Sequence, residues 1–131
     1  MNIENYLTIE DGVLTACNSR ETSVTIPHDV HTIGEGAFKG CVSLEEVFVP
    51  ETVTAILKDA FKGCRNLKQI ELPKMLTVLG DYAFHRCHSL SSIILPPSVE
   101  SLGNCVFLYC DSLETVSMPG VKKLGAQVFL N

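Results

Sequence analysis

The five residues AFKGC, Ala37 to Cys41, return unchanged 23 positions later as Ala60 to Cys64. A repeated catalytic motif would imply two active sites, a repeated ligand motif two metals, and a repeated structural motif a wall built of like parts. The surrounding residues decide among these. Cys41, Cys64, Cys87 and Cys110 keep the interval of 23, as do Phe38, Phe61, Phe84 and Phe107, and Leu44, Leu67, Leu90 and Leu113. Pro27, Pro50, Pro73, Pro96 and Pro119 extend the series to five marks, with the last interval equally 23. A fixed period of about 20–30 residues is the signature of a solenoid, in which one repeat cannot bury its apolar face alone and stacked repeats can.

The unit reads A-F-x-x-C-x-x-L-x-x-[IV]-x-Φ-P-x-x-[VL]-x-x-[IL], with Φ apolar, and its copies begin at Ala37, Ala60, Ala83 and Val106. The last copy is one residue short after Pro119, where PGV replaces PPSV. LEEVFVP, LKQIELP, LSSIILP and LETVSMP carry alternating apolar residues and stop at a proline, which cannot donate to a ladder. Each reads as a short strand. VTAI, LTVL and VESL read as a second extended piece. A polar or glycine-containing corner follows, LGDY or LGNC, and then a short helical turn in which Phe and Cys, three apart, share a face. The expected fold is an α/β repeat. It is a right-handed solenoid of about five coils, with short strands alternating with short helical turns and equivalent atoms ~4.8 Å apart. Residues 1–23 form an N-terminal β-hairpin cap: YLTIEDGVLTAC turns at Asp11-Gly12 and pairs Ile9 with Leu14 and Leu7 with Ala16. The repeats then divide as a half-unit 24–36, full units 37–59, 60–82, 83–105 and 106–127, and an incomplete unit 128–131.

This unit, AFKGCVSLEEVFVPETVTAI with its three successors and the preceding VTIPHDVHTIGEG, resembles the leucine-rich repeats of the BspA type, found in large bacterial surface proteins and in some protists. The likeness runs from Val24 to Asn131. Members of that family are associated with adhesion and attachment to host or matrix proteins, so the resemblance implies a non-catalytic module that binds a protein ligand. A structural spacer, a terminal piece of a longer repeat array or an intracellular regulatory scaffold is the alternative on the same repeats. The ordinary leucine-rich consensus places Asn or Cys shortly after the strand. Here that place is Thr52, Met75 or Ser98, so no asparagine ladder is expected.

Composition narrows the classes further. The chain has 131 residues, is 46% hydrophobic and carries a formal charge of −5. Phosphate binding needs clustered Lys and Arg, and the only adjacent basic pair is Lys122–Lys123, so nucleic acid is not an expected partner. No apolar run approaches the ~20 residues of a membrane span. The opening MNIENYLTIEDG lacks a basic start and an apolar core and does not read as a signal peptide. As it stands the chain reads as cytoplasmic, and as a surface or secreted module if it is a fragment of a longer protein.

Repeat position serves as an internal control on chemistry. Four cysteines at one position predict one buried environment in which Cys acts as a small hydrophobe and stays a free thiol. Cys17 and Cys105 stand outside that register. His85 and His88 flank Cys87 as if for a metal, but their counterparts are Lys39, Lys62 and Leu108, and Val42, Arg65 and Asp111. Those places read as outward while Cys87 points inward, and zinc would still lack two ligands. His28 and His31 read as surface residues, and Asp59 and Asp81 as caps of the helical turns. With no calcium loop, phosphate loop or nucleophile elbow, no catalytic, cofactor or metal site is expected.

Strand alternation leaves one candidate surface. Beside the inward column Val47, Ile70, Ile93 and Val116, the residues Phe48, Glu71, Ile94 and Ser117, and Glu46, Gln69, Ser92 and Thr115, should face outward. Exposed Phe48 and Ile94 on a regular platform would anchor a partner. At the far end, Val121, Leu124, Val128 and Phe129 leave apolar surface beside an open strand. Phe129 and Leu130 would cover it as a lid, or a two-fold homodimer would bury it.

Overall fold

Each coil must close on itself within 23 residues, which leaves room for strands of only two or three. The computed structural model describes residues 6–129. A hairpin of β1 (Leu7–Glu10) and β2 (Val13–Cys17) comes first, and the later strands alternate between two columns. One column holds β3 (Ser23–Thr25), β5 (Glu46–Phe48), β7 (Gln69–Glu71), β9 (Ser92–Ile94) and β11 (Thr115–Ser117). The other holds β4 (Thr32–Ile33), β6 (Ala55–Ile56), β8 (Val78–Leu79), β10 (Ser101–Leu102) and β12 (Lys123–Leu124). Paired strands within a column are parallel and offset by one repeat. Val47 lies beside Val24 and Ile70, and Ile56 beside Ile33 and Leu79. The chain thus winds a right-handed solenoid of about five coils, the hand that parallel crossovers take.

The third side of each coil corrects the expectation of helical turns. Residues 34–41, 57–64, 80–87 and 103–110 form successive tight turns, and among the described residues there is no α-helix. The reason lies in where the amides go. Ala37, Lys39 and Cys41 donate three residues back, to Gly34, Gly36 and Phe38, as in a helical turn. The amides between them do not: Gly36, Phe38 and Gly40 donate to the carbonyls of Lys58, Ala60 and Lys62 in the next coil. Every second amide is therefore spent on stacking, and a helix cannot propagate. Left-handed residues enforce this twice per coil, at Gly36, Asp59, Tyr82 and Cys105, and at Gly40, Gly63, Arg86 and Tyr109.

The core runs as columns down the middle. Phe38, Phe61, Phe84 and Phe107 are fully buried, with successive ring centroids 4.9, 5.3 and 5.9 Å apart. Phe129 continues the stack 5.6 Å beyond Phe107, with 41% of its surface exposed, while Val128 beside it is buried. Leu130, the other half of the expected lid, lies outside the described residues. The widest spacing in the stack coincides with a break in both ladders. Among the described residues β7 does not pair with β9, nor β8 with β10. There the turn segments hold the coils together, through the amides of Tyr82, Phe84 and Arg86 on the carbonyls of Asn104, Val106 and Leu108.

The hairpin turns at Asp11 and Gly12, both left-handed, and pairs Ile9 with Leu14 as expected. A bulge between Thr8 and Ile9 then shifts the register, so Leu7 faces Cys17 and Thr8 faces Ala16. Strand β2 joins the second column beside β4 and buries Leu14 against the first coil. The place after each strand is also used, though not by asparagine. The Thr52 hydroxyl donates to the Val30 carbonyl at 2.7 Å and the Ser98 hydroxyl to the Lys74 carbonyl at 3.0 Å.

Candidate functional site

Alternation along β5, β7 and β9 turns Val47, Ile70 and Ile93 into the core and their neighbours onto the outer face. A shallow depression of about 680 Å³ lies over this face. It brings together Glu46, Phe48, Gln69, Glu71, Ser92 and Ile94, whereas Thr115 and Ser117 on β11 lie outside it. Phe48 is 49% exposed and Ile94 71%, so two large apolar side chains stand in water on a face that could have been polar throughout. Gln69 Nε2 donates to Glu46 Oε2 at 2.7 Å and holds that carboxylate in place.

Two rim residues escaped the alternation argument because they follow the proline that ends each strand. Glu51 and Lys74 share one repeat position, and the Lys74 amide donates to Glu51 Oε2 at 3.1 Å. Their common place in the period was the available signal. The depression therefore carries three carboxylates, Glu46, Glu51 and Glu71, against the single cation of Lys74. No Cys or His lines it. Chemically it offers apolar contact inside a negative frame.

The other chemistry-bearing residues lie elsewhere. Cys64, Cys87 and Cys110 are buried, and each thiol donates to the carbonyl of a phenylalanine in the preceding coil, Phe38, Phe61 and Phe84, at 3.0, 3.2 and 3.0 Å. Burial pushes Cys64 and Cys110 up to about 12 and Cys87 well above its usual value. These are inert thiols. Cys41 departs from the expectation for the column, since it is only half-buried. Asp81 is not a local cap: its carboxylate accepts the Asn104 amide of the next coil at 2.7 Å. Asp59 Oδ1 is buried without a hydrogen-bond partner. With no helix to cap, Asp81 serves the stacking direction instead.

His85 does not point out into solvent. It is 7% exposed, set edge-on to Tyr82 at 5.3 Å and tilted against Tyr109 at 5.9 Å. His88 is exposed and bonds Asp111 at 2.6 Å, so the two histidines do not converge. Among the described residues no group of three or more His, Cys, Asp or Glu could hold a metal ion, and no helix is long and apolar enough to cross a membrane. Burial, reinforced by Lys62 and Arg86, holds His85 below the usual value of 6.5 against the smaller pull of Asp59. Its folded form stays neutral while the unfolded chain takes up a proton as pH falls through about 6.5. Stability is therefore expected to fall below that pH. His85→Leu, which copies Leu108 one coil on, should flatten this loss in denaturant titrations at about pH 7.5 and 5.5. An unchanged difference between the two pH values would show that His85 titrates normally in the fold.

A family model, the BspA type leucine rich repeat region, matches residues 7–131 in six copies. A leucine-rich repeat protein from Bacteroides capillosus is 31% identical and superposes with a TM-score of 0.74 over 82% of this chain and 88% of that one. A leucine-rich repeat protein of T. pallidum is 23% identical, with a TM-score of 0.64 over 95% of this chain and 86% of the other. A leucine rich cell surface protein from Faecalibacterium prausnitzii is also 23% identical, at 0.67, and matches 94% of this chain but 48% of its own length. At that identity the last two speak for the fold alone. A comparison with curated proteins finds no match.

Proposed function

This chain belongs to the BspA-type leucine-rich repeat family, and from that premise we propose that it is a non-catalytic protein-binding module whose ligand lies across the outer face of β5, β7 and β9. The observation that carries the reading is the pair Phe48 and Ile94, exposed two coils apart within a depression framed by Glu46, Glu51 and Glu71. Exposed apolar side chains in a polar rim are the usual anchors of an interface. Full burial of each is worth about 1.5–3 kcal/mol. The fitting ligand is an extended segment that carries apolar side chains flanked by Lys or Arg. Attachment to proteins of another surface, the role associated with members of the family, is the physiological form of this reading.

A displayed library of extended peptides tests it. Selected sequences should converge on apolar residues beside Lys or Arg. The double variant Phe48→Asp, Ile94→Asp should weaken their binding by about 100-fold, the equivalent of ~3 kcal/mol. Both residues face solvent, so the thermal midpoint should stay in place. Failure to enrich any sequence, or binding indifferent to the double substitution, would favour the spacer reading of the same repeats.

A further inference from the structure

The thiol ladder changes character at its first member. Behind Cys64, Cys87 and Cys110 stands a phenylalanine carbonyl of the preceding coil, but behind Cys41 stands the end of the hairpin, which β2 closes with Cys17. The Cys17 amide donates to the Ala37 carbonyl at 2.9 Å, and Cys41 Sγ lies 3.7 Å from the Cys17 carbonyl. Cys41 is partly exposed and Cys17 nearly buried. The Cys41 side chain beside it, helped by the Ser19 backbone against the cost of burial, draws Cys17 down to about 7, and the same neighbour pushes Cys41 up. Cys17 holds thiolate character and the partly exposed Cys41 lies beside it, which are the two halves of a thiol–disulfide exchange site.

We propose that Cys17 and Cys41 form a reversible disulfide that locks the hairpin to the first coil, a redox-modification site separate from the buried thiols behind it. The oxidant is a low-molecular-weight disulfide such as oxidised glutathione. The Cys17 thiolate attacks it, a mixed disulfide forms on Cys17, and one glutathione thiolate leaves and takes the proton of Cys41. The Cys41 thiolate then attacks the Cys17 sulfur, closes the intramolecular bond and expels the second glutathione thiolate, which takes a proton from water. Two protein sulfurs are oxidised and one glutathione disulfide is reduced to two thiols. The bond ties β2 to the turn segment of the first coil, across a junction otherwise held by backbone hydrogen bonds, the His31 ring on the Asp11 carbonyl, and packing.

The test is a peptide map of the full chain after incubation with oxidised glutathione over a range of redox poise, followed by alkylation and trypsin. Cleavage after Arg20, Lys39 and Lys58 leaves Cys17 and Cys41 as the sole cysteine of their peptides. The expected product is one cross-linked species joining those two peptides, with the other thiols alkylated only after unfolding. The thermal midpoint should rise by about 5–10 °C, as a loop of this size predicts, and dithiothreitol should reverse it. Cys41→Ser should lose the cross-link and the rise, and accumulate a glutathione adduct on Cys17. The proposal is overturned by the absence of the cross-link at every poise, by a bond from Cys41 to Cys64 instead, or by a cross-link that leaves the midpoint unmoved. Should Cys41→Ser fail to fold, the wild-type map and its melting curve decide alone.

Discussion

Phe61→Ala is expected to lower stability by about 3–5 kcal/mol, the upper range for a buried aromatic cut back to a methyl group. The ring is fully buried and lies between Phe38 at 4.9 Å and Phe84 at 5.3 Å, nearly parallel to both. Near-parallel rings at these separations fall within the range that aromatic pairs favour, so the spacing of the coils and the preference of the rings agree. The same spacing prevents the site from collapsing after truncation. The Phe38 amide is held on Ala60 at 2.7 Å and the Phe61 amide on Ala83 at 2.8 Å, which fixes the coils on either side at their distance. Both the lost transfer energy and an unrelaxed cavity therefore count. A denaturant titration reads the loss directly. Phe129→Ala is the internal comparison: that ring stacks on one neighbour only and is 41% exposed, so it should cost less than half as much. A loss below about 1 kcal/mol at Phe61 would mean that the row does not carry the core.

Much of this fold is legible in the residues because the repeat tests each reading several times over. Val47, Ile70 and Ile93 sit at one place in the period, flanked by residues that change, and that alone separates the inner from the outer face. The turn segments were harder to read. Phe and Cys three apart fit a helical turn and a chain of tight turns equally well, since both close three-residue hydrogen bonds. What distinguishes them is the destination of the intervening amides in the next coil, a non-local fact. Gly40 and Gly63 hint at it, since both are left-handed, but Arg86 and Tyr109 adopt the same conformation without announcing it. The burial of His85 is hidden for a related reason. Its counterparts Lys39 and Lys62 point to an outward place, while Leu108, the counterpart one coil on, is buried. The outer face needed only alternation. Its rim at Glu51 and Lys74 did not follow from alternation, because those residues lie beyond the strands that the pattern describes.

The close approach of successive coils gives the second large effect. Gly80→Ala is expected to cost about 2–3 kcal/mol, the range for forcing an extra group into packed surroundings. A Cβ at this position would lie 2.6 Å from the Lys58 amide nitrogen and 2.8 Å from the Leu57 carbonyl carbon. Both are backbone atoms of the preceding coil, so no side chain can swing away to make room. The Gly80 amide itself donates to the Ile56 carbonyl at 2.9 Å, which pins the glycine where the clash arises. Relief would require the coils to part at this corner, against the Phe61–Phe84 stack and the ladder of β6 on β8. Leu57 occupies the same place one coil earlier, so the repeat position as such admits a side chain. What bars one at 80 is the local height of the Lys58 backbone, and the backbone at 80 is not left-handed, so conformational strain does not enter. The effect is thus a measure of coil spacing alone. A denaturant titration of Gly80→Ala beside Gly40→Ala separates the two causes, because a Cβ at Gly40 meets nothing within 4 Å and suffers only its left-handed backbone. Equal losses at the two sites would show that the corner opens freely and that the coils are not held at this distance. A clearly larger loss at Gly80 would show that the solenoid is tight where its chain turns, the condition under which a flat and regular outer face can be presented to a partner.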